Sequence, residues 1–180
     1  GAYHVAGSTF PGLPAVMVGH NEKIGWGGTT AYYDLADVYV ETLTPDGMAV
    51  LFDGGTVDVV ERDYEFFDAS TGEAIVRTLR WVPHHGPIVS EEGTTAMTIR
   101  WRGHDGGTDL DAFFAVARAQ SVAEAREGIE FVSSANQNFV VVDVDGNVGW
   151  YPYAKVPERP WASNVLAPWL PLPGDGTAEW

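Results

Sequence analysis

The sequence predicts an α+β fold in which antiparallel strands dominate and one helical pair interrupts them. Three observations carry that reading. Apolar and polar residues alternate over most of the chain, Gly-containing turns separate the alternating runs, and helical spacing is convincing only over 109–130. Early in the chain, the apolar run PGLPAVMV at 11–18, bounded by Gly12 and Gly19, reads as a short buried strand. Ile24 to Thr30 reads as a second strand, thinned by glycine. DVYVETL at 37–43, MAVLF at 48–52 and TVDVVERDYEFF at 56–67 follow. Pro45-Asp46-Gly47 and Asp53-Gly54-Gly55 separate them, which is the turn chemistry of antiparallel hairpins. AIVRTLRWV at 74–82 and AMTIRW at 96–101 continue the pattern.

Leu110, Phe113, Phe114 and Ala117 recur at helical spacing, and Ser121 with Glu124 forms a capping box that starts a second helix. The chain returns to strand at NFVVVDV, turns at Asp145-Gly146-Asn147 and runs back through VGWYPY as a hairpin. The last thirty residues, rich in Pro and Trp, read as an extended surface arm. With no internal repeat, low-complexity tract or linker, residues 1–180 form a single segment. Within it, core strands occupy 1–36, a β-rich lobe 37–105, the helical pair 106–130, and a hairpin with the arm 131–180.

A chain of 180 residues, 45% of them hydrophobic, suffices for one ordinary core. Twenty-five Asp and Glu against ten Lys and Arg give a net charge of -15, which repels nucleic acid and anionic membrane surfaces alike. The absence of cysteine excludes disulfides and thiolate metal sites. No apolar run approaches the roughly 20 residues that span a bilayer, so no membrane span is expected. The start GAYHVAGSTF has neither a basic nor an apolar signal region. Any export signal is expected upstream, and the first residues read as mid-domain sequence.

Most candidate chemistry reads as structural. The five histidines lack metal-ligand spacing, His84 and His85 being adjacent and the rest scattered. No GxSxG elbow is present, and Ser133-Ser134 read as a polar loop before a strand. The DVDGN run at 143–147 resembles a calcium loop but has its Gly at the fourth place and no closing Glu, which favours a hairpin turn. GHNEKIGWGGTTAYYDLAD carries more. Read by itself it is either a close-packed strand ending in a solvated acidic turn, or a bare backbone at Gly25, Gly27 and Gly28 where a substrate carbonyl can approach main-chain N–H groups. In the second reading Asp34 and Asp37, with an intervening carbonyl, supply hard oxygens to Ca2+.

FPGLPAVMVGHNEKIGWGGTTAYYDLAD resembles the pattern of the penicillin acylase (penicillin amidase) family of N-terminal-nucleophile hydrolases: an FPG run, GHN, WG-x-T and an acidic DxxD turn. HGPIVS at 85–90, the LDAFFAVARAQSVAEARE helices, NQNFVVVDVDGNVGWY at 136–151 and LPLPG at 170–174 match in order, so the resemblance covers essentially the whole chain. It is similar to an internal segment of the family's large (beta) subunit. The resemblance implies a partial αββα sandwich with a β-hairpin-rich lobe, and hydrolysis of a non-peptide linear amide through an acyl-enzyme. Penicillin, N-acyl homoserine lactone and acylated lipopeptide types share this scaffold.

In that family the nucleophile is an N-terminal serine freed by self-cleavage, which the resemblance places before Gly1, and a second oxyanion donor, an Asn side chain, falls beyond Trp180. The resemblance therefore implies that the isolated chain is inactive and that its partners are the small subunit, the rest of the large subunit and a small-molecule amide. Carried over by position, Thr30 supplies a backbone N–H to the oxyanion hole. Met17, Val18, Gly28, Phe113 and Gln137 fall at positions lining the acyl pocket, and Asp34, the Ala36 carbonyl, Asp37 and the Pro168 carbonyl fall on a structural calcium site. A periplasmic or secreted location and an antibiotic-related role are implied likewise, and unpaired strand edges imply self-association when the missing parts are absent. The competing readings are a stand-alone β-rich module, its seven Trp and seven Tyr serving as stacking platforms, and a homologue that keeps the fold without the chemistry.

Overall fold

The structure, a computed structural model, describes residues 4–163 and 165–180. In chain order its elements are β1 (Ala6–Ser8), β2 (Val18–His20), β3 (Ile24–Thr30), β4 (Ala36–Thr42), β5 (Ala49–Phe52), β6 (Gly55–Asp58), β7 (Val60–Phe67), β8 (Ala74–Val82), β9 (Gly86–Glu92) and β10 (Thr95–Trp101). After a 3-10 turn at Arg102–Asp105 come α1 (Asp109–Arg118), α2 (Val122–Ile129), β11 (Gln137–Asp143), β12 (Val148–Tyr153) and β13 (Leu172–Pro173). The fold is α+β and mostly antiparallel. The chain divides into two compact units: 1–35 with 105–156, and 36–104 with 157–180. No helix among the described residues is long and apolar enough to cross a membrane.

The first unit is a five-stranded antiparallel sheet in the order β1-β2-β3-β11-β12, with α1 and α2 on one face. Period-two alternation decides what the helices cover. Ile24 and Trp26 of β3 and Phe139 and Val141 of β11 point inward and pack against Phe113, Val116, Ala125 and Ile129. The intervening Val140 and Val142 of β11, with Val148 and Trp150 of β12, are exposed on the other face. That face is apolar without being covered, so this unit presents one helical layer and one sheet layer.

Both helices lie where the sequence places them. Ser121 Oγ accepts from the Glu124 N–H at 3.2 Å, as expected of the cap. The Glu124 carboxylate reaches back to the Gln120 N–H at 2.8 Å, one residue earlier than a reciprocal capping box. The helices touch at Gly128, where an added Cβ would stand 2.9 Å from Ala115 Cβ and 3.0 Å from the Val116 nitrogen.

The second unit is a six-stranded sheet in the order β13-β4-β10-β9-β8-β7, with β5 and β6 paired as a small hairpin. Its core has two parts: Leu43, Val50, Val59, Val82 and Ala96, and separately Tyr39, Leu172 and Ala178. The single run expected over 56–67 is two strands, because the Val59 N–H bonds to Met48 O at 2.8 Å and buries its side chain between them. Every residue of β7 is exposed.

Two expectations need correction. Residues 11–17 are not strand: Pro11 and Pro14 withhold donors, Gly12 turns the chain at φ 88°, and the strand begins at Val18. The C-terminal stretch is not a surface arm. β13 pairs in parallel with β4, and Leu172 and Ala178 are buried.

The contact at Gly128 yields a test. Gly128→Val forces side-chain volume into a helix–helix contact with no room for it. It is expected to lower the unfolding free energy by about 1–3 kcal/mol, read from the denaturant midpoint at unchanged slope.

Candidate functional site

Thr30 ends β3 opposite Gln137 of β11. One residue on, the Ala31 N–H donates to Asn136 O at 3.0 Å, so Ala31 and Asn136 form a hydrogen-bonded pair. Antiparallel ladders alternate, which makes Thr30–Gln137 a non-hydrogen-bonded pair and turns the Thr30 N–H away from β11. The Gly28 N–H, two residues earlier, turns the same way. On that side β2 pairs with β3 only at Gly25 and Trp26. Beyond Trp26 that edge carries no strand among the described residues, so two main-chain donors face it unspent by the ladder. A Cβ on Gly27 would meet nothing within 4 Å, so the backbone there is bare.

The end of β3 is held from β11. Asn136 adopts a left-handed φ of 45° and brackets Tyr33: its Oδ1 accepts from the Tyr33 N–H at 3.1 Å, and its Nδ2 donates to Tyr33 O at 3.0 Å. Asn138 Nδ2 donates to Thr30 O at 3.2 Å. The preceding loop is tied to Asp109 at the start of α1. Its carboxylate accepts from the Ser133 N–H at 2.8 Å, the Ser133 hydroxyl at 2.6 Å, the Ser134 hydroxyl at 2.9 Å and the Ala135 N–H at 2.9 Å. Burial works against ionisation here, but the Ser133 hydroxyl and the backbone donors outweigh it and hold the carboxyl down at about 2. The sequence showed Ser133-Ser134 only as a polar loop. The partner lies 24 residues away, and no local pattern joins the two.

The residues expected to line an acyl pocket divide. Val18 and Gly28 border one shallow depression on the open side of the sheet, with Asn138, Val140 and Trp150. A Cβ at Gly28 would stand 3.3 Å from Gln137 Oε1, so a side chain here crowds Gln137. Phe113 is 3% exposed and packs its ring 5.9 Å from Phe139 inside the helix–sheet core. Met17 is half-buried against the same core, its N–H bonded to Ser8 O at 2.9 Å.

Of the residues expected to hold calcium, Asp34 is an exposed residue of the first unit. Ala36 and Asp37 open β4 in the second, and Pro168 is half-buried in a turn of that same unit. Asp37 is 1% exposed, and its Oδ2 accepts from Arg159 Nε at 2.9 Å. Its Oδ1 is buried with no hydrogen-bond partner among the described residues. A buried carboxylate oxygen without a donor is costly, and a hard cation satisfies it, so Asp37 fits the ligand role.

The penicillin amidase family profile matches residues 1–180. The chain is 30% identical over 183 residues to the acyl-homoserine lactone acylase QuiP of Pseudomonas putida, with 99% of this chain and 22% of that protein aligned. It is 27% identical over 183 residues to penicillin G acylase of Escherichia coli, covering 99% of this chain and 21% of that one. The structure of a thermostable penicillin G acylase from Alcaligenes faecalis superposes with a TM-score of 0.86 at 26% identity, covering 100% of this chain and 32% of that one. The chain thus spans about a fifth of the length of the curated relatives it matches.

Asp109 gives the site a pH signature. Its folded pKa lies below the ordinary 3.8, so the stability it contributes is present above that value and lost as pH falls toward about 2. At neutral pH Asp109→Asn is expected to be less stable by about 1–3 kcal/mol. That gap in thermal midpoint from the unsubstituted protein should close between pH 4 and pH 2, and a gap independent of pH would contradict the assignment.

Proposed function

Because the chain belongs to the penicillin amidase family, we propose that it forms the part of an amidohydrolase that presents a main-chain oxyanion donor, the Thr30 N–H, to the carbonyl of a non-peptide linear amide. The observation that carries this reading is the Thr30 N–H on the uncovered edge of β3, unspent by the β11 ladder. In acyl transfer a serine oxygen adds to the amide carbonyl, and the carbonyl oxygen becomes an oxyanion in the tetrahedral intermediate. A fixed N–H aimed at that oxygen stabilises it more than it stabilises the ground-state carbonyl. The serine and the second, side-chain donor belong to other parts of the enzyme. The substrate class is an N-acylated small molecule of the penicillin, N-acyl homoserine lactone or lipopeptide kind. The depression bordered by Val18 and Gly28 receives part of its acyl chain.

Calcium belongs to the same proposal. Asp37 offers its buried Oδ1, and the carbonyls of Ala36 and Pro168 are further hard oxygens of the second unit; Asp34 enters on the sequence pattern alone. The ion's part is structural, neutralising a carboxylate that burial otherwise penalises.

Since the donor is backbone, Thr30→Ala keeps it and Thr30→Pro removes it. Proline is tolerable at this place, because the Thr30 N–H makes no ladder bond. In the active enzyme, Thr30→Ala should change kcat only a few-fold, whereas Thr30→Pro should lower it by about 10²–10³ with its thermal midpoint retained. Equal kcat for the two variants would remove Thr30 from the oxyanion hole. For calcium, Asp37→Asn should abolish the rise in thermal midpoint that Ca2+ gives the unsubstituted enzyme.

A further inference from the structure

Glu41, His84 and His85 converge in the second unit. One ligand atom from each lies within 4.8 Å of those of the other two. Glu41 and His85 are fully buried, and His84 is half-buried. The convergence depends on a turn: residues 83–85 leave β8, so two consecutive imidazoles fall on one side, 4.3 Å apart, where a strand would send them to opposite faces. Tyr39 stacks on His85 with ring centres 3.7 Å apart, and Phe52 packs on His84 at 3.9 Å, fixing both rings.

The hydrogen bonds around this cluster leave a specific gap. His85 Nδ1 lies 2.7 Å from Glu41 Oε1, and His85 Nε2 lies 2.7 Å from Glu179 Oε1. With the single proton of a neutral ring assigned to Nε2, His85 donates to the Glu179 carboxylate. Nδ1 then faces a carboxylate oxygen, and two lone pairs repel at that distance, so a proton or a metal ion must stand between them. A proton satisfies that contact alone. It leaves His84 Nε2 and Glu41 Oε2 buried with no hydrogen-bond partner among the described residues.

We propose that Glu41, His84 and His85 bind one divalent transition-metal ion of the zinc class. The donor set is two imidazoles and a carboxylate without thiolate, which suits zinc, cobalt or nickel better than magnesium or calcium. Such an ion takes the place of the proton between Nδ1 and Glu41, once that contact opens by about half an ångström to seat it at about 2.0–2.2 Å from each ligand. It also draws in the otherwise unsatisfied His84 nitrogen, leaving a fourth position for water on the half-exposed His84 side. The surroundings are those of a supported site. Glu179 accepts from the far nitrogen of His85, and the Thr98 hydroxyl donates to Glu41 Oε1 at 2.7 Å. The role is independent of the amidase chemistry, since the acyl-transfer residues take no part in it.

Metal-free protein titrated with Zn2+ by calorimetry, and with Co2+ by visible absorption, is expected to bind one ion at this site. His84→Ala, at the half-exposed ligand, should weaken binding at least about tenfold, and Thr98→Val, which keeps all three ligands but removes the hydroxyl that donates to Glu41 Oε1, should weaken it by about tenfold. His20→Ala, at an exposed histidine, should bind like the unsubstituted protein. Failure of the unsubstituted protein to bind either metal, or unchanged affinity in both His84→Ala and Thr98→Val, would overturn the proposal. The readout is metal affinity, so the result stands whether or not the amidase reading holds.

Discussion

The antiparallel pairing of β3 with β11 is the constraint on which the first unit depends. Its register runs unbroken from Ile24–Asp143 to Thr30–Gln137, and each step fixes two things at once. Side-chain parity sends Ile24, Trp26, Phe139 and Val141 to the helices. Hydrogen-bond parity sends the N–H groups of Gly28 and Thr30 away from β11. A slip of one residue would reverse both, exposing the core face and spending the Thr30 donor in the ladder. The packing free energy of the core therefore secures the direction of a single N–H bond, which is how a fold holds a main-chain donor without any side chain committed to it.

That donor also needs a fixed end to the strand. Main-chain bonding between the two segments ends at Ala31–Asn136, and side-chain contacts hold the rest: Asn138 on Thr30, Asn136 on Tyr33, and Asp109 on the loop before them. The left-handed backbone at Asn136 is what lets one side chain reach both polar groups of Tyr33. Asp109 sits in the first turn of α1, where an ionised carboxylate is favoured by the helix dipole as well as by its own donors. The helix layer thus reaches the strand edge by charge-assisted hydrogen bonds, while the body of the sheet meets it through apolar contact.

How much of this was legible in the sequence follows from the range of each interaction. Alternation, the Gly turns and the Ser121–Glu124 cap are local, and they placed most strands and both helices. The GHNEKIGWGGTT run marked the β3 edge because glycine there is a statement about backbone exposure. One failure is local and the others are long-range. Residues 11–17 alternate poorly and are shaped by Pro and Gly, which apolar content masked. Residues 157–180 are rich in Pro and Trp, which suggested surface, yet Leu172 and Ala178 fill the space beside Tyr39, whose hydroxyl donates to Ala178 O at 3.0 Å. Asp109 with Ser133, and Glu41 with His85, are pairs that only tertiary structure brings together.

The second unit meets the opposite problem, since it buries charge as well as apolar surface. Asp37, Glu41 and His85 are all fully buried on or beside β4 and its neighbours. Isolated, each would cost several kcal/mol, so each must be paired. Arg159 supplies one partner and Glu179 another, and both come from the C-terminal stretch 157–180. This explains why a stretch with a single two-residue strand is nonetheless part of the core: without it, buried Asp37 would lose Arg159 and buried His85 would lose Glu179. Among the described residues the pairing is incomplete at Asp37 Oδ1, Glu41 Oε2 and His84 Nε2, all in this unit and all of a kind that cations satisfy. In a chain of net charge -15, buried oxygens without donors are the places where bound cations relieve most electrostatic cost.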